Sequence, residues 1–285
     1  MPTGLLVAAL WLAAEPVDTE PAQKTQEQKS QNTARLKLMK ETAERIEILI
    51  GNDEKTKLEL RAEPVLRWNN PRSFVVDAAT FVWLDDHRPQ VIGGMWIKNG
   101  HAWFDLQSLS LRPLTTSVDG TKRWSTSRPG VMWEVVAGAP PPAASRVERV
   151  RQMKHLAEGF STHAVKTAPD YDEGSIWHLR MMAQPIYRYA EVAAVDGAIF
   201  AFAQGTDPEV FLILESQEIQ GISQWHYAFA PACGWELHAK RDDREVWFRP
   251  KWNQLDTDSV YGLVGPFAVD PKLFPVEPLK PQQGK

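Results

Sequence analysis

Hydrophobic side chains recur with a helical period in two stretches of the chain. In the first stretch they lie three or four residues apart, at Leu36, Met39, Ala43, Ile46 and Ile50. The same spacing returns 114 residues later (150 − 36), at Val150, Met153, Ala157, Phe160 and Ala164. Side chains at such intervals share one face of an α-helix. The sequence therefore predicts two amphipathic helices, each packing one face against a sheet.

After each of these stretches the pattern changes to a period of two. Runs such as "EVFLILES" (209–216) are four to eight residues long and rich in aromatic and branched side chains, which is typical of strands. Turn signals separate the runs, at "KNGH" (98–101), "VDGT" (118–121), "GTDP" (205–208) and "RDDR" (241–244). Tight hairpins join antiparallel strands, so we expect antiparallel sheets.

The two halves also share short sequences. "PVLRW" (64–68) resembles "PIYRY" (185–189), and tryptophans recur at offsets of 122 and 123, in the pairs Trp103/Trp225 and Trp124/Trp247. These matches predict an internal duplication. The expected fold class is α+β, in which each copy is one helix followed by a five- or six-stranded antiparallel meander sheet.

Two charged residues recur in both halves. Arg67 and Asp77 in the first half match Arg188 and Asp196 in the second. We expect each strand arginine to pair with the nearby aspartate, and we interpret these pairs as structural.

Composition divides the chain into six segments. We expect a signal peptide at 1–14, a disordered polar spacer at 15–34, the first copy at 35–136, a Pro/Ala linker at 137–145, the second copy at 146–250 and a Pro-rich C-terminal tail at 251–285. The apolar run in the first segment is too short to cross a bilayer, and no other segment is long enough. We therefore expect an exported protein, periplasmic or extracellular, with no transmembrane span.

The net charge of −4 has no basic excess, which argues against nucleic acid as a partner. The single cysteine, Cys233, lies in the apolar run "AFAPACGW" and is expected to be a packed small residue. No serine elbow, Walker loop, dinucleotide-binding glycine motif or His-Glu-x-x-His motif is present. We therefore expect no cofactor, and no residue is singled out as catalytic.

The twelve tryptophans are unusual for a chain of this length. One interpretation is that they fill a core between a curved sheet and a helix. The other is that some line a ligand pocket, for which we select Trp177, Trp225 and Trp235.

Histidines concentrate in the second half. Period two places His178, His226 and His238 on the face opposite their large apolar neighbours. If their strands are adjacent, the three imidazoles could bind zinc with Glu236 or Asp242 nearby. The alternative is that all three are surface residues of a half-exposed sheet.

One longer pattern carries a resemblance. The segments "QPIYRY", "VDGAIFAFAQGTDPEVFLILE", "WHYAFAP" and "DDREVW" resemble an uncharacterised group of exported bacterial proteins. The resemblance covers most of residues 33–250. It implies export, and it implies no activity and no site residues.

Two hypotheses for function follow from the sequence. The first is a non-catalytic ligand-binding or protein-interaction module, which would hold an apolar or glycan ligand or a protein partner in a groove with partly exposed tryptophans. The alternative is a hydrolase with a metal or carboxylate site in the second copy, which requires the three histidines to lie close together in a cleft.

Overall fold

The computed structural model describes residues 20–52, 55–98, 100–166, 174–190 and 196–274, with side chains of the first helix described from residue 28. This part of the chain forms two α-helices, one short 3₁₀ helix (Pro71–Ser73) and nineteen strands. All pairings between the described strands are antiparallel, as the hairpin signals predicted.

The first half begins with a helix and continues with nine strands. They are α1 (Glu20–Glu44), β1 (Ile46–Ile50), β2 (Thr56–Lys57), β3 (Glu59–Leu60), β4 (Leu66–Asn70), β5 (Val75–Asp85), β6 (Arg88–Lys98), β7 (His101–Ser108), β8 (Leu114–Val118) and β9 (Thr121–Thr126).

A short connecting strand, a second helix and nine further strands follow. They are β10 (Glu134–Val135), α2 (Arg146–Glu158), β11 (Phe160–Lys166), β12 (Ser175–Met181), β13 (Tyr187–Ala190), β14 (Asp196–Gln204), β15 (Asp207–Ile219), β16 (Ile222–Pro231), β17 (Glu236–Arg241), β18 (Arg244–Arg249) and β19 (Tyr261–Ala268).

The predicted fold class is wrong. The described chain is mostly β and its sheets curl, so it is not an α+β fold made of a duplicated helix plus meander. Each half also has more strands than the five or six expected. The first strand after each helix pairs with a strand from the far end of its half, β1 with β8 and β11 with β17. Such pairing depends on packing between distant segments, which local patterns do not predict.

The two halves share an order of strand pairing. Each contains a three-stranded meander, β5–β6–β7 or β14–β15–β16. Each also contains a second group, β1–β8–β9 or β11–β17–β18. In the second half β12 pairs with both β11 and β14, so the two groups form one curled sheet. In the first half they belong to two separate sheets.

Both predicted helices end earlier than their hydrophobic spacing suggested. Helix α1 ends at Glu44, and Ile46 and Ile50 lie on β1, where alternate residues are buried. Likewise α2 ends at Glu158, and Phe160 and Ala164 lie on β11. A spacing of four fits a helical turn and also two pleats of a strand, so these positions satisfied both periods.

The predictions of two hairpin turns and of two ion pairs are confirmed. The turns at "VDGT" and "RDDR" are two-residue hairpins whose central residues all have positive φ, at Asp119, Gly120, Asp242 and Asp243. Both predicted ion pairs form. Arg67 pairs with Asp77, and Arg188 Nη2 lies 2.7 Å from Asp196 Oδ1.

Three large clusters of buried side chains hold the structure together. One lies between α1 and the first-half sheets, and another between α2 and the curled sheet. The third joins the two meanders face to face, where Val82 and Ile92 pack with residues such as Phe211 and Ile213. At one end of this interface Arg88 donates two hydrogen bonds to the buried carboxylate of Glu215, at 2.7 and 3.1 Å. The halves are therefore in extensive apolar contact.

The segments outside the two halves compare with the predictions as follows. The predicted signal peptide (1–14) lies outside the described residues. Helix α1 begins at Glu20, within the segment predicted as a polar spacer (15–34). The C-terminal segment contains β19, which pairs with β7, and Phe274 is buried in the first core.

Strand β19 fills a gap in the first half. It pairs with β7 on one side and contacts β9 on the other, where Gly262 packs against Trp124. A Cβ atom at Gly262 would lie 2.5 Å from Trp124 Cδ1, closer than atoms in proteins approach. Glycine is therefore needed here for the close approach of strand and indole.

We expect Gly262→Ala to reduce the free energy of unfolding by about 1–3 kcal/mol, because the added methyl group overpacks the contact with Trp124. The control is Gly94→Ala, where the nearest side-chain atom to the new Cβ lies at an ordinary 3.6 Å. Urea denaturation measures both. Equal losses in the two variants would contradict the proposed contact.

Candidate functional site

The two ends of the curled sheet face each other. The strand order is β10-β16-β15-β14-β12-β11-β17-β18, and the curl brings β16 close to strands that are distant in this order. The rings of Phe160 and Tyr227 have centroids 4.9 Å apart, and those of Phe229 and Trp247 stack at 5.5 Å. Strands β16 and β18 therefore flank an opening in the sheet, and the two-residue strand β10 pairs with β16 only at His226 and Tyr227.

A groove with a volume of about 370 Å³ lies in this opening. We call it the β16–β18 groove. Its walls are mostly apolar and aromatic, and are formed by Pro129, Gly130, Val131, Met132, Glu134, Tyr227, Phe229, Pro231, Val246, Trp247, Phe248, Arg249 and Val260. Met132 at its rim is 78% exposed. A concave apolar space of this size with few polar groups is the usual form of a ligand site.

Two polar groups lie at different positions along the groove. The hydroxyl of Tyr227 donates a hydrogen bond to Glu134, and burial together with this carboxylate raises the pKa of Tyr227, so the hydroxyl remains a donor. Arg249 donates to the carbonyl of Cys233 at 3.1 Å and lies over the ring of Tyr261. Among the described residues Arg249 has no carboxylate partner within salt-bridge distance.

Beyond Arg249 the chain gathers a set of ionisable side chains, which we call the ionisable cluster. Its members are Asp105, Lys166, Asp207, Glu209, Cys233 and Tyr261. A β-bulge at Glu209 turns its carboxylate towards Lys166, and the two charges lie 3.0 Å apart with each side chain 3% exposed. Lys166 also donates to Gln204 at 2.8 Å.

Two carboxylates of the ionisable cluster, Asp105 and Asp207, have raised pKa values. Burial raises the pKa of Asp105 to about 7, although the carboxylate accepts hydrogen bonds from Tyr261 and from the indole of Trp96 at 2.9 Å. Burial and the neighbouring Glu209 raise the pKa of Asp207 well above its usual range. Such shifts are common at functional sites, and they also occur in buried structural networks.

The surroundings of Cys233 disfavour the thiolate form, which is the nucleophilic form of cysteine. Burial raises the pKa of its thiol well above the usual range, and Glu209 raises it further. The thiol therefore stays protonated at neutral pH, in agreement with the prediction of a packed residue.

A small cavity lies next to the ionisable cluster. A cavity of about 10 Å³ lies beside Asp105, Gln107 and Tyr261, at the interface of the two halves. That volume holds one water molecule. A substrate-sized molecule has no room there.

The three tryptophans predicted to bind a ligand do not lie together in the groove. Trp225 is 1% exposed in the core beneath α2. Trp177 and Trp235 are half-buried on either side of Lys166, whose ammonium lies 4.9 and 5.6 Å from their ring centroids. They shield the ionisable cluster.

The tryptophan that lines the groove is Trp247. It matches Trp124 in the sequence, but it was not among the residues predicted to bind a ligand. Seven of the eleven described tryptophans are half-buried rather than buried: Trp96, Trp103, Trp133, Trp177, Trp235, Trp247 and Trp252. Of these seven, Trp247 alone lines the groove, whereas the expectation was a groove with several partly exposed tryptophans. The sequence feature that could have indicated a role for Trp247 in the groove was its position on the last predicted strand of the second half.

The predicted metal-binding histidines are not brought together. His178 and His238 each lie beside a third histidine, His163, with ring centroids at 6.0 and 4.5 Å. His226 is buried on another strand, directly opposite Glu215. Within the described ranges no group of three or more His, Cys, Asp or Glu residues has an arrangement that could hold a metal ion.

The exposed histidine row has a different organisation. His238 forms hydrogen bonds through both ring nitrogens, with Glu245 at 2.9 Å and Glu236 at 3.2 Å. Burial lowers the pKa of the adjacent His163, and His238 and His178 lower it further. These contacts form a cross-strand ladder on the sheet surface.

No protein-family model matches the chain, and comparison with curated proteins and with solved structures gives no match. In the part of the chain that the structure describes, no helix combines the length and apolar character needed to cross a membrane.

We expect removal of one charge from the Lys166–Glu209 pair to be strongly destabilising. Lys166→Met leaves Glu209 buried without its cation and should reduce the free energy of unfolding by about 3–5 kcal/mol. Adding Glu209→Leu to this variant removes the unpaired charge and should recover most of the loss. Chemical denaturation of both single variants and the double variant gives the coupling, and additive losses would contradict the pairing.

The raised pKa of Asp105 predicts a pH-dependent stability. The folded state binds a proton that the unfolded state releases between its usual pKa of 3.8 and about 7. Stability should therefore fall as pH rises through this window, by at most about 1.4 kcal/mol per pH unit.

Asp105→Asn should make this fall smaller by the contribution of Asp105 and leave the contribution of Asp207, whereas Asp242→Asn in an exposed hairpin should leave the whole fall unchanged. Urea denaturation at a series of pH values between 4 and 7 measures the difference. Parallel stability curves for wild type and Asp105→Asn would show that Asp105 titrates normally.

Proposed function

We propose that this protein is a non-catalytic binding module whose ligand presents an apolar surface to the β16–β18 groove. The observation that carries the proposal is the groove itself, a concave space of about 370 Å³ between two strands that no described strand joins. Aromatic side chains from both strands form its walls, and burying apolar surface against them is the main driving force available for binding.

The polar groups of the groove support orientation of a ligand rather than chemistry. Tyr227 supplies a hydroxyl that stays protonated, and Arg249 supplies a positive charge without a carboxylate partner in the described chain. A few polar groups in an apolar pocket usually fix the orientation of what binds. Export of the protein stays a prediction from its N-terminal sequence.

The alternative of a hydrolase has less support from the geometry. The ionisable cluster contains carboxylates with raised pKa values, but the adjoining cavity of about 10 Å³ admits one water molecule and no substrate. The groove lies beside the cluster, and among its lining residues Glu134 is the single carboxylate. The binding function is therefore the better account of the available space.

Binding of the neutral apolar dye Nile red should test this proposal. We expect saturable binding with a rise in dye fluorescence. Met132→Asp should weaken binding by about tenfold, because it places a charge at the apolar rim. Leu255→Asp is the matched control, since it adds the same charge at a side chain that is 86% exposed and not part of the groove.

Equal affinity in the two aspartate variants would place the dye elsewhere and contradict the proposal. Absence of saturable binding in the wild type would also contradict it.

A further inference from the structure

The free edge of the first-half meander is covered by β19. Ser108 N–H on β7 donates to the carbonyl of Val260 at 2.9 Å, and Gly262 lies opposite Leu106. Residues of even number on β7 therefore turn their peptide groups towards β19.

The first half also holds β19 from its other side. Trp124 on β9 packs over Gly262 and donates its indole N–H to the carbonyl of Ser259 at 2.9 Å. Just after β9, Arg128 pairs with two aspartates that precede β19, Asp256 at 2.8 Å and Asp258 at 3.4 Å. An acidic turn followed by a glycine-containing strand thus fits between a strand edge, an indole and an arginine.

The second half has the same strand edge, and among the described residues only the two-residue strand β10 pairs with it. Val136 N–H donates to the carbonyl of Trp225 at 2.8 Å, so Trp225, Tyr227 and Phe229 turn their peptide groups to the same side of β16. Strand β10 covers the edge as far as Tyr227. Phe229 lies beyond this pairing and has no strand partner on that side among the described residues.

The opposite wall has a matching indole, and an arginine lies two residues after it. Trp247 occupies the place on β18 that Trp124 occupies on β9, in the same pairing order, and it lines the groove. Arg249 follows it near the end of the strand, at the register position of Thr126 rather than of Arg128, and no carboxylate of the described residues lies within salt-bridge distance of it. The charge of the groove at this end therefore complements an acidic group.

We propose that the β16–β18 groove binds an extended polypeptide segment as an added strand on β16, with an acidic residue paired to Arg249 and a glycine over Trp247. This inference rests on the proposed binding function and names its ligand as a peptide. Backbone hydrogen bonds to Phe229 supply affinity, and the spacing of acidic and small residues supplies selectivity.

The test uses a fluorescein-labelled peptide with the sequence of residues 256–264, Asp-Thr-Asp-Ser-Val-Tyr-Gly-Leu-Val, because this segment fills the equivalent place in the first half. Fluorescence anisotropy with the full chain should show saturable binding with a Kd below about 100 µM. Met132→Asp should weaken binding by about tenfold and Leu255→Asp should not, which assigns the peptide to the groove rather than to the place of β19.

Two modified peptides test the mode of binding. N-methyl groups at the Val260 and Gly262 positions remove the hydrogens that would face the strand edge beside Pro231 and Phe229, and should weaken binding by about tenfold. The same groups at the Tyr261 and Leu263 positions face away and should leave affinity unchanged. Replacing both aspartates by asparagine should weaken binding to the wild type and have little effect on the Arg249→Gln variant.

The results separate the two proposals. Nile red binding in the groove with no peptide binding would overturn the peptide inference and leave the binding function, with a small apolar ligand as the occupant. Equal loss of affinity from both N-methylated peptides, or no loss from either, would overturn strand addition. Failure of both probes to bind would overturn the proposed function itself.

Discussion

The structure depends on how each half completes the free edge of its three-stranded meander. The N–H and C=O groups along a strand edge must find partners or face water, and an open edge invites pairing with another chain. The first half solves this with β19, which comes from the C-terminal segment of the same chain. The second half has only the two-residue strand β10, and the groove begins where that strand ends.

The face-to-face packing of the meanders holds both edges in place. Its apolar centre lies between polar ends, with Arg88 and Glu215 at one end and the ionisable cluster at the other. Buried charges of this kind contribute little net stability, because desolvation offsets their attraction. These ion pairs instead raise the free energy of other arrangements of the two sheets. A shift of one sheet would leave Glu215 or Glu209 buried without a cation.

The sequence predicted local features well because local physics determines them. The hairpin at Asp119–Gly120 follows from the need for positive φ in a two-residue turn, and the pair of Arg188 with Asp196 follows from their positions on paired strands. The fold class failed because the pairing of β1 with β8 and of β11 with β17 joins segments far apart in sequence. The prediction that Ile46 and Ile50 belong to a helix was wrong for a different reason, because their spacing of four residues fits both a helix and a strand.

The candidate site was less predictable than the fold. Trp177 and Trp235 were selected from the sequence as ligand-binding residues, but they lie on either side of Lys166 and do not line the groove. Trp247 became significant only when its strand was seen at the end of the curled sheet, facing Phe229. His178, His226 and His238 share a strand period, but His226 belongs to a strand that pairs with neither of the others. The sequence indicates which residues share one face of a strand, but the order of the strands decides which of those residues come together in a site.

Amide hydrogen exchange of the free protein gives the sharpest test of a free edge on β16. The quantity to compare is the exchange rate of the Phe229 amide against that of the Leu106 amide. Both side chains are buried, and both residues turn their peptide groups to the outer edge of their meander, but β19 covers only Leu106. If the edge of β16 is free, the amide of Phe229 should exchange at least about 100-fold faster than that of Leu106. Equal protection of the two amides would mean that the edge of β16 is already satisfied, and the groove would then have no strand edge to offer.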